Sequence, residues 1–134
     1  EVKSYTFIED CYNANPDSMK ASLITLNTIK KTRSIAVLGD MLELGDYSDT
    51  AHYEVGKIAG EEKTDIVLTF GDLSLLTKKG AEESGSEAYS FNDKSELTSF
   101  LKSILKENDT VLFNGSRSMK MEEIFHELYK EWEV

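Results

Sequence analysis

Asp10, Tyr12, Asn13 and Asn15 crowd one short polar stretch in which Pro16 marks a turn between an apolar run and a helical pattern. A carboxylate at a strand end can accept both hydroxyls of a ribose, as acidic residues do in nucleotide-binding α/β folds. Tyr12 adds an aromatic face and a hydroxyl, and each Asn brings a donor and an acceptor. The same residues equally suit a turn and a helix cap with a solvated Asp10. A second candidate is Gly115-Ser116-Arg117. Free backbone N–H groups at a helix start, together with a permanently charged guanidinium, favour a carboxylate or phosphate. The plainer reading is a glycine turn with a capping Ser and a solvated Arg. A third stretch carries Asp40, Glu43 and Asp46, which could repel anions, attract an ammonium group, or simply face water.

Several chemistries are disfavoured. The chain has no G-x-x-x-x-G-K-[ST] phosphate loop and no G-x-G-x-x-G after its first apolar run. His52 and His126 lack Cys or carboxylate neighbours at a metal-ligand spacing. His126 reads as a surface or packing residue, and His52, near a helix start, is ambiguous. Cys11 has no base beside it to make it a nucleophile and, as the single cysteine, forms no internal disulfide. A net charge of −10 opposes nucleic-acid and anionic-membrane surfaces. No apolar run approaches the roughly 20 residues of a bilayer span.

The elements that must position these residues alternate between strand and helix, which implies a largely parallel sheet with helices on both faces. Tyr5 to Asp10 reads as the first strand. Asn15 caps a helix with Pro16 at its first position, running to about Lys31 and burying Met19, Leu23, Leu26 and Ile24. Ser34 to Leu38 follows as a strand, then a loop to Tyr47, then a helix capped by Ser48 or Asp49 that packs Val55, Ile58 and Ala59. Asp65 to Phe70 is an apolar strand. Gly71-Asp72 introduces a short helix packed through Leu75, Leu76 and Ala81, and Ala88 to Phe91 is a weaker strand. Asp93 and Glu96 resemble a capping box ahead of the Leu97, Phe100, Leu101, Ile104, Leu105 stripe. Thr110 to Asn114 is the last strand, and Met121, Ile124, Phe125, Leu128, Tyr129 and Trp132 form the stripe of the last helix. The 134 residues and 40% hydrophobic content suit one domain, residues 1–134. Glu1 stands only a few residues before a strand, as in a domain excised from a longer chain.

Three blocks together carry a resemblance: Asp10 to Met19, Ala36 to Gly45, and Gly115 to Glu122. They resemble, in order, the carboxyl-terminal domain of the UDP-N-acetylmuramoyl-tripeptide–D-alanyl-D-alanine ligases, within the ATP-dependent Mur ligase family. His52 and Gly56 also fall where that family tends to carry them. The resemblance implies a three-layer Rossmann-like α/β domain that closes over an amino-terminal UDP-sugar domain and a central domain holding the phosphate loop and magnesium. It implies a cytoplasmic ligase of peptidoglycan synthesis that adds D-alanyl-D-alanine to the nucleotide-linked tripeptide. The tripeptide carboxylate is phosphorylated by ATP, and the dipeptide amine attacks the acyl phosphate.

Carried over by position, Asp10 would meet the ATP ribose, with Tyr12, Asn13 and Asn15 shaping that turn. Arg117, with Ser116, would hold the dipeptide carboxylate, and Asp40 and Glu43 would face its ammonium group. No residue here is expected to be catalytic or to bind metal, and the domain alone is expected to be inactive. Two departures stand out: the family often has Asp where this chain has Glu9, and commonly Lys where it has Asn114. The alternative is an acidic receiver-like signalling module with Glu9, Asp10 and Asp40 around magnesium. Such a module needs a Lys where Asn114 stands.

Overall fold

The computed structural model describes residues 5–10 and 15–132, with the side chains of Asp10 and of residues 129–132 outside that description. Its strands are β1 (Thr6–Asp10), β2 (Ser34–Gly39), β3 (Ile66–Phe70), β4 (Glu87–Phe91) and β5 (Thr110–Asn114). Its helices are α1 (Pro16–Ile29), α2 (Ser48–Glu61), α3 (Ser74–Glu83), α4 (Lys94–Ile104) and α5 (Glu122–Trp132). All strand pairs are parallel, in the order β1-β5-β2-β3-β4.

That order explains the layers. From β1 to β4 the chain advances in one direction, stepping over the place later filled by β5, and then returns. Right-handed crossovers therefore put α1, α2 and α3 on one face and α4 on the other. The first face buries Met19, Leu23, Leu26, Val55 and Ala59 against Ala36, Leu38, Val67 and Leu112. The opposite face packs Leu97, Leu101, Ile124 and Leu128 against Ile35, Val37, Leu68, Val111 and Phe113. β5 and β2 are buried along their whole lengths, so they read as continuous apolar runs.

Local chemistry sets the helix starts. Asn15 accepts the Ser18 amide at 2.9 Å, and the Ser18 hydroxyl accepts the Asn15 amide at 3.1 Å, closing a reciprocal cap ahead of Pro16. Asp93 caps α4 through the amides of Ser95 and Glu96. α2 differs from expectation. A 3-10 turn, Gly45–Tyr47, runs directly into it, so Tyr47 takes the capping position with helical angles and no side-chain bond. Ile24 and Leu75 also differ, being 40% and 55% exposed. α3 instead turns Ser74, Thr77, Gly80 and Ala81 inward. These small residues let α2 approach until a Cβ on Gly56 would lie 1.9 Å from the Thr77 carbonyl oxygen.

Candidate functional site

A single ladder row crosses the whole sheet near its carboxyl edge: Asp10, Asn114, Leu38, Thr69 and Ser90 are successive register partners. The carboxyl ends of β1, β2 and β5 therefore lie on one rim. The helix after β5 lies on the opposite face from those after its neighbours β1 and β2, which creates the switch-point crevice where open α/β sheets take ligands. Asn114 ends β5 at that switch point. It is wholly buried and donates from Nδ2 to the Ser22 hydroxyl at 3.3 Å, while its Oδ1 has no partner among the described residues.

The turns after β2 and β5 are stitched together. The Ser116 amide donates to the Asp40 carbonyl at 3.0 Å, and the Leu42 amide donates to the Ser116 hydroxyl at 2.7 Å. Gly39 and Gly115 allow this approach, since a Cβ on Gly115 would stand 3.1 Å from the Gly39 Cα. Met121 plugs the space beside both glycines. Arg117, next along, is exposed.

The Asp40 side chain turns inward. At 6% exposure, its Oδ1 accepts the Ser74 amide at 2.8 Å and the Ser74 hydroxyl at 2.6 Å, and its Oδ2 takes a longer bond from the Leu73 amide. A carboxylate just past β2 thus serves the amino terminus of α3, whose own Leu73 offers no cap. Gly71, at φ +111°, makes room for it, because a Cβ there would fall 2.4 Å from Asp40 Oδ2. Glu43 is exposed and left-handed, at φ +63°.

His52 is wholly buried one turn into α2. Its Nε2 accepts the Met41 amide at 2.9 Å, and its Nδ1 lies 2.7 Å from the Ser48 carbonyl oxygen. The Ser48 hydroxyl stands farther from Nδ1, at 3.4 Å; the Met41 amide can only donate and the Ser48 carbonyl can only accept, which selects the tautomer with its proton on Nδ1.

Of the sequence-derived site residues, Asp40, Ser116 and Arg117 are brought together, and Glu43 follows in the same loop. The β1 backbone delivers Asp10 to the same rim. Asn15 is engaged in the α1 cap. Tyr12 and Asn13, with Cys11, lie outside the described residues. Sequence reasoning missed Ser74 and Gly71, whose link to Asp40 spans more than thirty positions and carries no local signal. Among the described residues, no group of three His, Cys, Asp or Glu side chains could hold a metal ion.

The profile of the family described as "Mur ligase, glutamate ligase domain" matches residues 1–117. A UDP-N-acetylmuramoyl-tripeptide--D-alanyl-D-alanine ligase of Bacillus subtilis (strain 168) is 36% identical over 126 residues, covering 92% of this chain and 28% of the relative. The Escherichia coli (strain K12) protein of that name is 38% identical over 131 residues, covering 95% and 27%. The chain thus spans under a third of the length of the curated relatives it matches. A crystal structure of MurF ligase from Thermotoga maritima in complex with ADP superposes with a TM-score of 0.83 and 27% identity, over 99% of this chain and 30% of that one. These matches set aside the receiver-like alternative.

Proposed function

This chain belongs to the Mur ligase family, and we propose that it serves as the carboxyl-terminal domain of an ATP-dependent ligase joining D-alanyl-D-alanine to UDP-N-acetylmuramoyl-tripeptide in peptidoglycan synthesis. The observation that carries the reading is the stitched rim of Asp40, Leu42 and Ser116, with Arg117 exposed beside it, in a chain whose relatives bear that ligase name. A cytoplasmic setting follows from the substrates. Among the described residues no helix is long and apolar enough to cross a membrane.

In this reading the tripeptide carboxylate takes the γ-phosphoryl group of ATP to become an acyl phosphate, and ADP is released as the β–γ bond breaks. The dipeptide amine then forms the new C–N bond and loses a proton, and phosphate departs as the C–O bond breaks. The domain's part is to position and to enclose, excluding water that would hydrolyse the activated carboxyl. Arg117, with Ser116 beside it, holds the dipeptide carboxylate through charge-assisted hydrogen bonds. Glu43 faces the ammonium group, and Asp40 contributes from behind as the anchor of the loop they share. Asp10, Tyr12, Asn13 and Asn15 make the ribose-facing turn. The acceptor at a strand end fits nucleotide hydroxyls, and the magnesium that accompanies ATP is assigned in this reading to the other domains of the enzyme.

The reading is tested in the full-length ligase. Asp10→Ala should raise the KM for ATP and Arg117→Ala that for the dipeptide, each by about 10- to 100-fold, the worth of a hydrogen bond to a charged group. Wild-type kinetics in both variants would overturn the assignment. The chain alone should release no phosphate from ATP in the presence of both substrates.

A further inference from the structure

Three consecutive residues, Asp40, Met41 and Leu42, make bonds to three different parts of the fold. Asp40 reaches Ser74 of α3 with its carboxylate and Ser116 of the β5 turn with its carbonyl. Leu42 reaches Ser116 again. The middle residue, Met41, has its side chain buried and its amide pointed at His52 of α2. This amide lies at a strand end and has no ladder partner. A buried N–H without an acceptor would cost on the order of 1–3 kcal/mol, so the imidazole is what allows the loop to leave β2 along this path.

We propose that His52, as its Nδ1–H tautomer, is a positioning residue that sets the loop of Asp40 to Leu42 and, through Ser116, the presentation of Arg117 to the bound dipeptide. The Ser48 carbonyl takes the Nδ1 proton and so leaves the Nε2 lone pair for Met41. Ser48 is the first residue of α2, so the imidazole fastens the loop to a rigid helix rather than to another loop. From Met41 the path to the exposed guanidinium is short. Leu42 donates to the Ser116 hydroxyl, the Ser116 amide donates to Asp40, and Arg117 is the next residue. Releasing Met41 frees the segment that holds Ser116 on both of its bonds. The role in dipeptide binding rests on the proposed function, whereas the tautomer and the linkage to Ser116 do not.

Two variants separate positioning from bulk stability. In His52→Gln the amide oxygen can occupy the place of Nε2 and still accept the Met41 amide. In His52→Asn the shorter side chain can only mimic Nδ1, keeping the Ser48 bond and losing Met41. Nitrogen NMR of this chain should show the His52 ring with Nδ1 protonated and Nε2 bare, and should show a coupling across the Met41 hydrogen bond. The amide signals of Leu42, Ser116 and Arg117 should move in His52→Asn and stay near wild type in His52→Gln. In the full-length ligase, His52→Asn should raise the dipeptide KM about 10- to 100-fold, as small misplacements do, with the KM for ATP unchanged, and His52→Gln should restore it.

An Nε2–H tautomer, or equal shifts at Ser116 and Arg117 in both variants, would overturn the proposal. So would a matching loss of thermal stability in both with no movement at those amides. Should the parent enzyme fail to use the dipeptide, the proposed function falls, and the NMR comparison still decides the role of His52.

Discussion

Asp40 and Ser74 are joined by two hydrogen bonds between the end of one strand and the start of a helix that follows a different one, at 2.8 Å to the amide and 2.6 Å to the hydroxyl. The arrangement makes a side chain just past β2 the cap of α3. Removing a nearly buried carboxylate would orphan the Ser74 amide and hydroxyl together at a positive helix end. Asp40→Ala should therefore lower unfolding stability by about 2–4 kcal/mol. Asp40→Asn can keep its oxygen toward Ser74 while its NH2 confronts the Leu73 amide, so its cost should be smaller, about 1 kcal/mol. Urea unfolding with an unchanged slope measures both. Equal midpoints for wild type and Asp40→Ala would show that the cap contributes nothing.

Gly56 in α2 and Gly80 in α3 each stand against the other helix's backbone. A Cβ on Gly56 would lie 1.9 Å from the Thr77 oxygen and 2.9 Å from the Ala81 nitrogen, and one on Gly80 would lie 2.2 Å from the Tyr53 oxygen. Alanine gains up to about 1 kcal/mol of helix propensity over glycine, whereas overpacking against backbone that cannot rotate away costs about 1–3 kcal/mol or more. The clash should win. Gly56→Ala is expected to lower the melting temperature by several degrees, about 3 °C or more. A rise instead would mean that the helices separate without cost.

Local rules were sufficient where an element's chemistry was contained within itself. Asn15 and Pro16 gave the start of α1, and the apolar run of β5 ends at Asn114 as read from sequence. They failed where packing overrode polarity. Leu75 looked like core and is exposed, because α3 needs small side chains facing α2. Ser48 looked like a cap, but the preceding turn already held Tyr47 in helical angles. For the site, the strand ends made the shared rim foreseeable, since parallel strands place their following turns at one edge. The partners of Asp40 and His52 were not foreseeable, because most are backbone groups, which carry no residue-type signal, and Ser74 lies more than thirty positions away.

Lys94 links the first turns of α4 and α5, donating to Glu123 at 2.8 Å with its ammonium 5.4 Å from the Phe70 ring centre. The hydrogen bond from Lys94 holds the Glu123 carboxyl below its ordinary value, and charge attraction adds to that. A depressed carboxyl stabilises the fold above its unfolded value and loses that contribution as pH falls through the folded one. Lys94→Met should return the Glu123 titration upward toward the ordinary range, as read by carbon NMR. Both groups reach solvent, so high salt should shift it in the same direction. An unmoved midpoint would show that the pair does not hold in solution.

Arg33 and Asp109 lie at the other end of the sheet from the rim, just before β2 and β5. The guanidinium grips the carboxylate with two bonds, Nε to Oδ1 at 3.1 Å and Nη2 to Oδ2 at 2.7 Å, and adds one to the Ile104 carbonyl at 2.6 Å. The Lys106 amide donates to the same carboxylate, whose side chain is 1% exposed. The hydrogen bond to Asp109 raises the Arg33 pKa above its ordinary value, outweighing burial. A raised value means the contribution is complete below the unfolded value and is lost only as pH climbs through the folded one, well beyond the neutral range. Arg33→Ala should therefore destabilise by about 3 kcal/mol, since it strands a buried carboxylate, and the loss should be flat from about pH 6 to about pH 9. Arg33→Lys should recover only part, because an ammonium cannot reproduce the two parallel bonds. Placed far from the carboxyl rim, both variants should leave the KM values of the full ligase unchanged at temperatures where they stay folded. A change in dipeptide KM matching that of Arg117→Ala would show that the two ends of the sheet are coupled, and would contradict a rim that acts through its own loop contacts.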